Sequence, residues 1–167
     1  RWNASCCMAT PMPIRIQPHW GGASVELATH ESRWPASLLV GLGTPWNTIQ
    51  PQGQLLLKTR GLSLALNAGR LQVQGGADLD VMAVTSRLST IQPLGSYRLQ
   101  LQGGDSTGLQ LSTLDGALQL KGQGQWVGQR LRFQGEAWAA EGREAALANL
   151  LTMIGQRSGS RVLLSVG

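Results

Sequence analysis

Residues 61–75, GLSLALNAGRLQVQG, align without a gap on residues 108–122, GLQLSTLDGALQLKG. Gly61, Leu62, Leu64, Gly69, Leu71 and Gly75 stand against Gly108, Leu109, Leu111, Gly116, Leu118 and Gly122. In both stretches the apolar residues fall on every second position, which puts them on one face of a strand. Upstream, PQGQLLLK (51–58) matches PLGSYRLQ (93–100) on its Pro and Gly, and the second copy carries an insertion around GGDST. The pattern predicts two copies of one meander, residues 51–92 and 93–138.

Turn chemistry divides the copies into strands. Ala68-Gly69 reverses the first copy, and Asp115-Gly116 reads as a two-residue hairpin turn because both positions tolerate positive φ. After it, Leu118, Leu120 and Trp126 continue the apolar face, and Gly128-Gln129 turns the chain into Leu131 and Phe133. Apolar positions are odd-numbered through Leu79 and Val81, then even-numbered at Met82, Val84 and Leu88. A period-two pattern that changes parity predicts a β-bulge there, and a bulge bends the sheet. The expected architecture is all-β and mainly antiparallel: a curved meander of roughly ten strands, barrel- or groove-like, within one domain spanning residues 1–167.

One segment departs from this period. In GREAALANLLTMIG (142–155), Leu147, Leu150, Leu151 and Ile154 recur at i, i+3, i+4 and i+7, which predicts an amphipathic helix over about residues 143–155. Glu144 suits its first turn, Gly155 its end, and Arg157 lies just past its negative pole. The simplest role for such a helix is a lid on the apolar face at one end of the sheet. RVLLSVG (161–167) then returns as a final strand.

The 167 residues suffice for one ordinary domain. Charged residues make up only 14%, so the polar faces are built from Gln, Ser, Thr and Arg, as in LQVQG, RLQLQG and LQLKGQGQW. The net charge of +5 raises the question of nucleic acid. The 14 basic residues comprise two Lys and 12 Arg scattered singly along the chain, without the clustering a nucleic-acid face needs. They read as strand-surface residues and cross-strand partners, and no nucleic-acid partner is expected. Cys6 and Cys7 are adjacent, so a bridge between them would require a strained ring. With His19 and His30 in no ligand spacing, neither a metal site nor a cofactor is expected. No nucleophile elbow or phosphate loop occurs, and GQGQWVG lies within an alternating hairpin, where its glycines serve turns and strand crossings. Asp78 and Asp80 share the polar face of one strand and read as solvated residues rather than an acid–base pair. The expectation is a protein with no catalytic residues. No stretch approaches the roughly 20 apolar residues of a membrane span. The opening RWNAS reads as a trimmed or mature portion, with any anchor lying further N-terminal.

The six Trp, against one Phe and one Tyr, form a skewed aromatic set. Trp126 has core parity. Trp138 has parity opposite to Phe133 and should face outward or touch the helix. Trp34 and Trp46 flank WPASLLVGLGTPWNTIQP, a short helix or turn between sheet portions. An exposed Trp beside a sheet edge is a contact anchor, so Trp34, Trp46 and Trp138 are candidates for partner binding. Arg161, Val162 and Leu164 join them because a short terminal strand can offer an open edge to another chain.

Three segments, WPASLLVGLGTPWNTIQPQGQL, SRLSTIQPLGSYRLQLQGGD and GREAALANLLTMIGQRSGSR, resemble the protein N component of the bacterial type II secretion system, in order and over about residues 34–167. The resemblance implies a periplasmic, non-enzymatic accessory protein, tethered to the inner membrane by an N-terminal helix that lies outside this chain. It implies other secretion components as partners: the inner-membrane platform and, as a second candidate, the secretin. The alternative reading is a lipid or hydrophobic-ligand carrier with an open β groove; a long apolar trough would favour it, and a filled interior with exposed strand edges would favour the scaffold.

Overall fold

A computed structural model describes residues 14–42, 46–128 and 130–167. The strands are β1 (Ile14–His19), β2 (Gly22–Leu27), β3 (His30–Pro35), β4 (Gln52–Asn67), β5 (Arg70–Thr85), β6 (Gly95–Gln102), β7 (Gly108–Gly116), β8 (Leu118–Val127), β9 (Arg130–Ala139), β10 (Gln156–Ser158) and β11 (Arg161–Val166). They form one antiparallel sheet in the order β1-β2-β4-β5-β6-β7-β8-β9-β11-β10, with β3 also paired to β4. A 3₁₀ helix (Ala36–Leu42) and a four-residue helix α1 (Trp46–Ile49) join β3 to β4, and α2 (Glu144–Ile154) follows β9. The all-β antiparallel expectation holds, and so does the single C-terminal helix. The sheet does not close, so the barrel form is not adopted.

β2 and β3 lie end to end along the same side of β4, pairing Leu62–Asn67 and Gln54–Thr59 respectively. Thr59 bridges the break between them: its hydroxyl donates to the Ala28 carbonyl at 2.6 Å and accepts from the His30 N–H at 3.1 Å. The predicted bulge is present. The β5–β6 register shifts between Val81 and Val84, Ala83 takes a positive φ of 50°, and its N–H is satisfied by the Ser96 hydroxyl at 3.0 Å.

The repeat is only partly structural. The gapless stretch is a strand–turn–strand in both copies, β4–β5 and β7–β8. The preceding segments differ, because residues 51–60 run straight on into the 16-residue β4, whereas Gly103–Thr107 turns the corresponding residues into a separate strand, β6. The likeness of 51–92 to 93–138 therefore stops at one hairpin. The reversal at Asp115-Gly116 also differs from expectation. Both residues remain in the ladder with β6, opposite Ser96 and Gly95, and the chain turns one residue later. A Cβ at Gly116 would lie 2.2 Å from the Gly95 Cα, so its glycine serves this close approach.

Side-chain rows explain the packing. On the apolar face Leu57, Leu79, Leu99 and Leu111 stand in register across four strands, and the row continues through Gly122 and Gly135 to Leu164. The Phe133 ring lies over the glycines: a Cβ at Gly122 would meet it at 2.3 Å, and Cβ atoms at Gly124 and Gly135 at 3.1 Å. An aromatic ring here takes the place of three absent side chains. The main core lies at the α2 end, where Leu147, Leu150 and Leu151 pack with Tyr97, Leu118, Ala137 and Val162. A smaller cluster of Leu62, Val73 and Ala77 lies toward the β4–β5 turn. The helix is thus a lid over one end of the sheet, as its spacing implies. Gly155 ends it in extended rather than left-handed conformation, and a side chain there would strike the Leu163 carbonyl at 2.3 Å. Trp126, expected in the core, is only half-buried and belongs to neither cluster.

Candidate functional site

The C-terminal margin of the sheet is built by β9, β11 and β10. β11 pairs with β9 from Val162 opposite Ala137 to Val166 opposite Phe133. On its other side β10 reaches only from Arg161 to Leu163. Among the described residues, Leu164, Ser165 and Val166 therefore have a strand neighbour on one side only. Alternation puts Val162 into the core at 1% exposure, leaves Leu164 half-buried on the same face and turns Leu163 the other way at 47%, while Val166, on the face of Val162 but at the strand end, is 55% exposed. Of the three residues proposed from this strand, Val162 is taken up by the core and Leu164 lies at the open edge.

Arg161 and Trp138 come together on the opposite face. The Arg161 guanidinium carbon lies 4.5 Å from the centroid of the Trp138 ring, and its Nη1 donates to Glu136 Oε2 at 2.5 Å. Trp138 thus faces outward, with one ring face covered by a cation. Trp34 belongs to β3 on the far margin, where it stands opposite Leu55 and its indole N–H donates to the Ser32 hydroxyl at 3.0 Å. Trp46 opens α1, but its side chain lies outside the described residues, as do Trp2, Cys6 and Cys7. The five candidates with described side chains do not form one site: Trp138 and Arg161 share an ion-paired cluster, Val162 and Leu164 lie on the terminal strand, and Trp34 is across the sheet.

Ionic pairs run along the non-core face. Asp80, read from sequence as solvated, is buried, and both its oxygens accept from Arg98 at 2.7 Å. Asp80 lies directly opposite Arg98 in the β5–β6 register, which makes the two-pronged geometry possible. The Arg98 hydrogen bonds hold the Asp80 carboxyl below its usual value against the opposing effect of burial. Asp78 pairs with Arg60 at 2.5 Å. On the core face, burial and then the nearby Asp115 push the Tyr97 phenol well above its usual value, and its O–H donates to the Leu118 carbonyl at 2.9 Å.

The sheet carries two hollows, each lined by polar and apolar side chains together. One of about 1020 Å³ is bounded by Gln100, Gln125, Arg130 and Arg132 together with Leu109 and Phe133. A second, of about 730 Å³, is bounded by Gln119, Lys121 and Glu136 together with Leu111, Leu120, Trp138 and Leu163. They share Gln110, Gln123 and Gln134. These glutamines were visible in sequence only as a neutral strand surface. Their alternation with Leu was the available signal, but assembling them into one surface required the cross-strand register.

No helix among the described residues is long and apolar enough to cross a membrane. A family model described as Type II secretion system (T2SS), protein N, matches residues 7–163. Neither a curated protein nor a solved structure matches the chain.

Proposed function

The chain belongs to the type II secretion system protein N family, and from that premise we propose that it is a non-enzymatic accessory scaffold, working in the periplasm beside the inner membrane and docking other secretion components along the open margin of its sheet. The observation that carries this reading is the construction of β11. Its Val162 side is fixed beneath α2, while Leu164–Val166 runs beyond the three-residue β10 with no strand on its outer side among the described residues. Unpaired backbone donors and acceptors beside apolar side chains are a template for a strand from another chain. The adjoining Trp138–Arg161–Glu136 cluster supplies a side-chain contact for the same partner. The partners implied are the inner-membrane platform and the secretin.

The test is capture of the purified periplasmic parts of the platform and of the secretin by the immobilised chain. Val166→Lys places a charge at a position that is already exposed, where surface changes ordinarily alter stability by about 0.5 kcal/mol or less. Capture should fall at least tenfold while the thermal unfolding midpoint stays near that of the parent. Undiminished capture by the Val166→Lys variant would remove the β11 edge from the interface.

A further inference from the structure

We propose that the polypeptide strand which pairs with the β11 edge is acidic at alternate positions, its carboxylates meeting Arg130 and Arg132. The inference rests on the edge reading above and names the chemistry of the partner segment. The larger hollow is lined by Arg60, Arg130 and Arg132 and by no Asp or Glu side chain. Arg60 is held by Asp78. Arg130 and Arg132 are exposed and have no ion pair among the described residues. The same hollow is bordered by Ser165, Val166 and Gly167, the end of the open strand. One margin of the sheet therefore brings free backbone groups beside unmatched positive charge.

The side chains between those arginines and the edge are nearly absent. Ser165 stands opposite Gln134 in the β9–β11 register, and Arg130 and Arg132 share the face of Gln134 by alternation. Ser165 carries only a hydroxymethyl group on that face. Gly167 carries nothing, and a Cβ there would lie 3.3 Å from the Arg132 Cγ. A strand added outside β11 lies two strand spacings, about 10 Å, from β9. An arginine and a glutamate side chain extended toward each other close that gap across the small residues, and their charge-assisted hydrogen bonds are short and strong. The alternate residues of the added strand turn to the other face, beside Leu164 and Val166, and are apolar for that reason. The favoured segment thus alternates acidic and apolar residues. A lipid headgroup or a free phosphate would satisfy the arginines and leave the backbone groups of Leu164–Val166 bare, whereas an extended acidic peptide meets both. Complementary charge also speeds the encounter.

The test titrates the whole chain with three end-blocked heptapeptides that alternate valine with glutamate, glutamine or lysine. Fluorescence anisotropy reads affinity, and amide hydrogen exchange reads edge pairing. The glutamate peptide should bind saturably and slow exchange at Leu164–Val166. The glutamine peptide should bind at least tenfold more weakly, and the lysine peptide should not bind. Arg130→Gln/Arg132→Gln, at two exposed positions, should weaken the glutamate peptide at least tenfold and leave the affinity of the glutamine peptide unchanged. Arg70→Gln, exposed at the start of β5 and outside both hollows, should alter none of these affinities. Equal affinity for the glutamate and glutamine peptides, or parental affinity of the double variant for the glutamate peptide, would overturn the acidic selection; slowed exchange at Leu164–Val166 would then leave the edge reading standing. Failure of the edge reading looks different: no peptide slows exchange at Leu164–Val166, and both conclusions fall together.

Discussion

At the scale of residues, the strongest local interactions are cross-strand, and register decides them. Asp78 and Asp80 read alike in sequence, as two carboxylates on one polar strand face. Register sends Asp80 opposite Arg98, and burial makes that pair matter more than its neighbours. The Arg98 side chain remains 38% exposed, so solvent screens part of the attraction. Losing a hydrogen-bonded charge partner at such a site costs about 2 kcal/mol. We expect Asp80→Asn to destabilise the chain by that order at neutral pH. The sign of its pH dependence follows from the lowered folded-state value. The contribution is complete above the unfolded carboxyl value of about 3.9 and is lost as pH falls through the lower folded value. The stability gap between parent and Asp80→Asn, measured by urea unfolding, should therefore be flat from about pH 5 to 8 and shrink below about pH 4. A gap that stays constant down to about pH 2 would contradict the assignment. The tryptophans show the other side of legibility. Parity correctly turned Trp138 away from the core, but it could not place Arg161 over its ring, since that contact crosses from β9 to β11.

At the scale of elements, signals carried within a few residues were readable. The helical spacing of Leu147, Leu150 and Leu151 foretold both α2 and its buried face. The parity change after Val81 foretold the bulge at Ala83. Signals that depend on distant neighbours were misread. Asp115-Gly116 has strong turn chemistry, yet close approach to Gly95 and the ladder with β6 keep both residues in the strand. The repeated pattern in 61–75 and 108–122 specified one hairpin twice, while the five residues Gly103–Thr107 decided whether the preceding segment became a continuation or a separate strand. If α2 is the lid that closes the main core, truncating its most enclosed contacts should be costly. Leu150 is 1% exposed, and Leu150→Ala should lower stability by about 3 kcal/mol. Met153→Ala, on the exposed side of the same helix at 50%, should change it by about 0.5 kcal/mol or less. Chemical denaturation of the two variants checks this. Equal midpoints would mean that the helix does not cap the core.

At the scale of the whole molecule, the described residues form an eleven-stranded sheet with one helical lid, with margins open among those residues and two hollows along the sheet. The groove-like expectation fits an open, curved sheet, and its hollows are bounded by Gln, Arg and Lys together with Leu, Phe and Trp. The sign of curvature depends on twist and on the bulges acting together, and no single stretch encodes it. The central claim is that a secretion-system partner docks by extending the sheet at β11. Amide hydrogen exchange reads this directly, because a strand added at the margin protects the backbone groups it pairs with. With saturating periplasmic secretin or platform domain, the account predicts slowed exchange at Leu164–Val166 and no change at Ile14–His19 on the opposite margin. Binding of either partner with exchange at Leu164–Val166 left unaltered would contradict it.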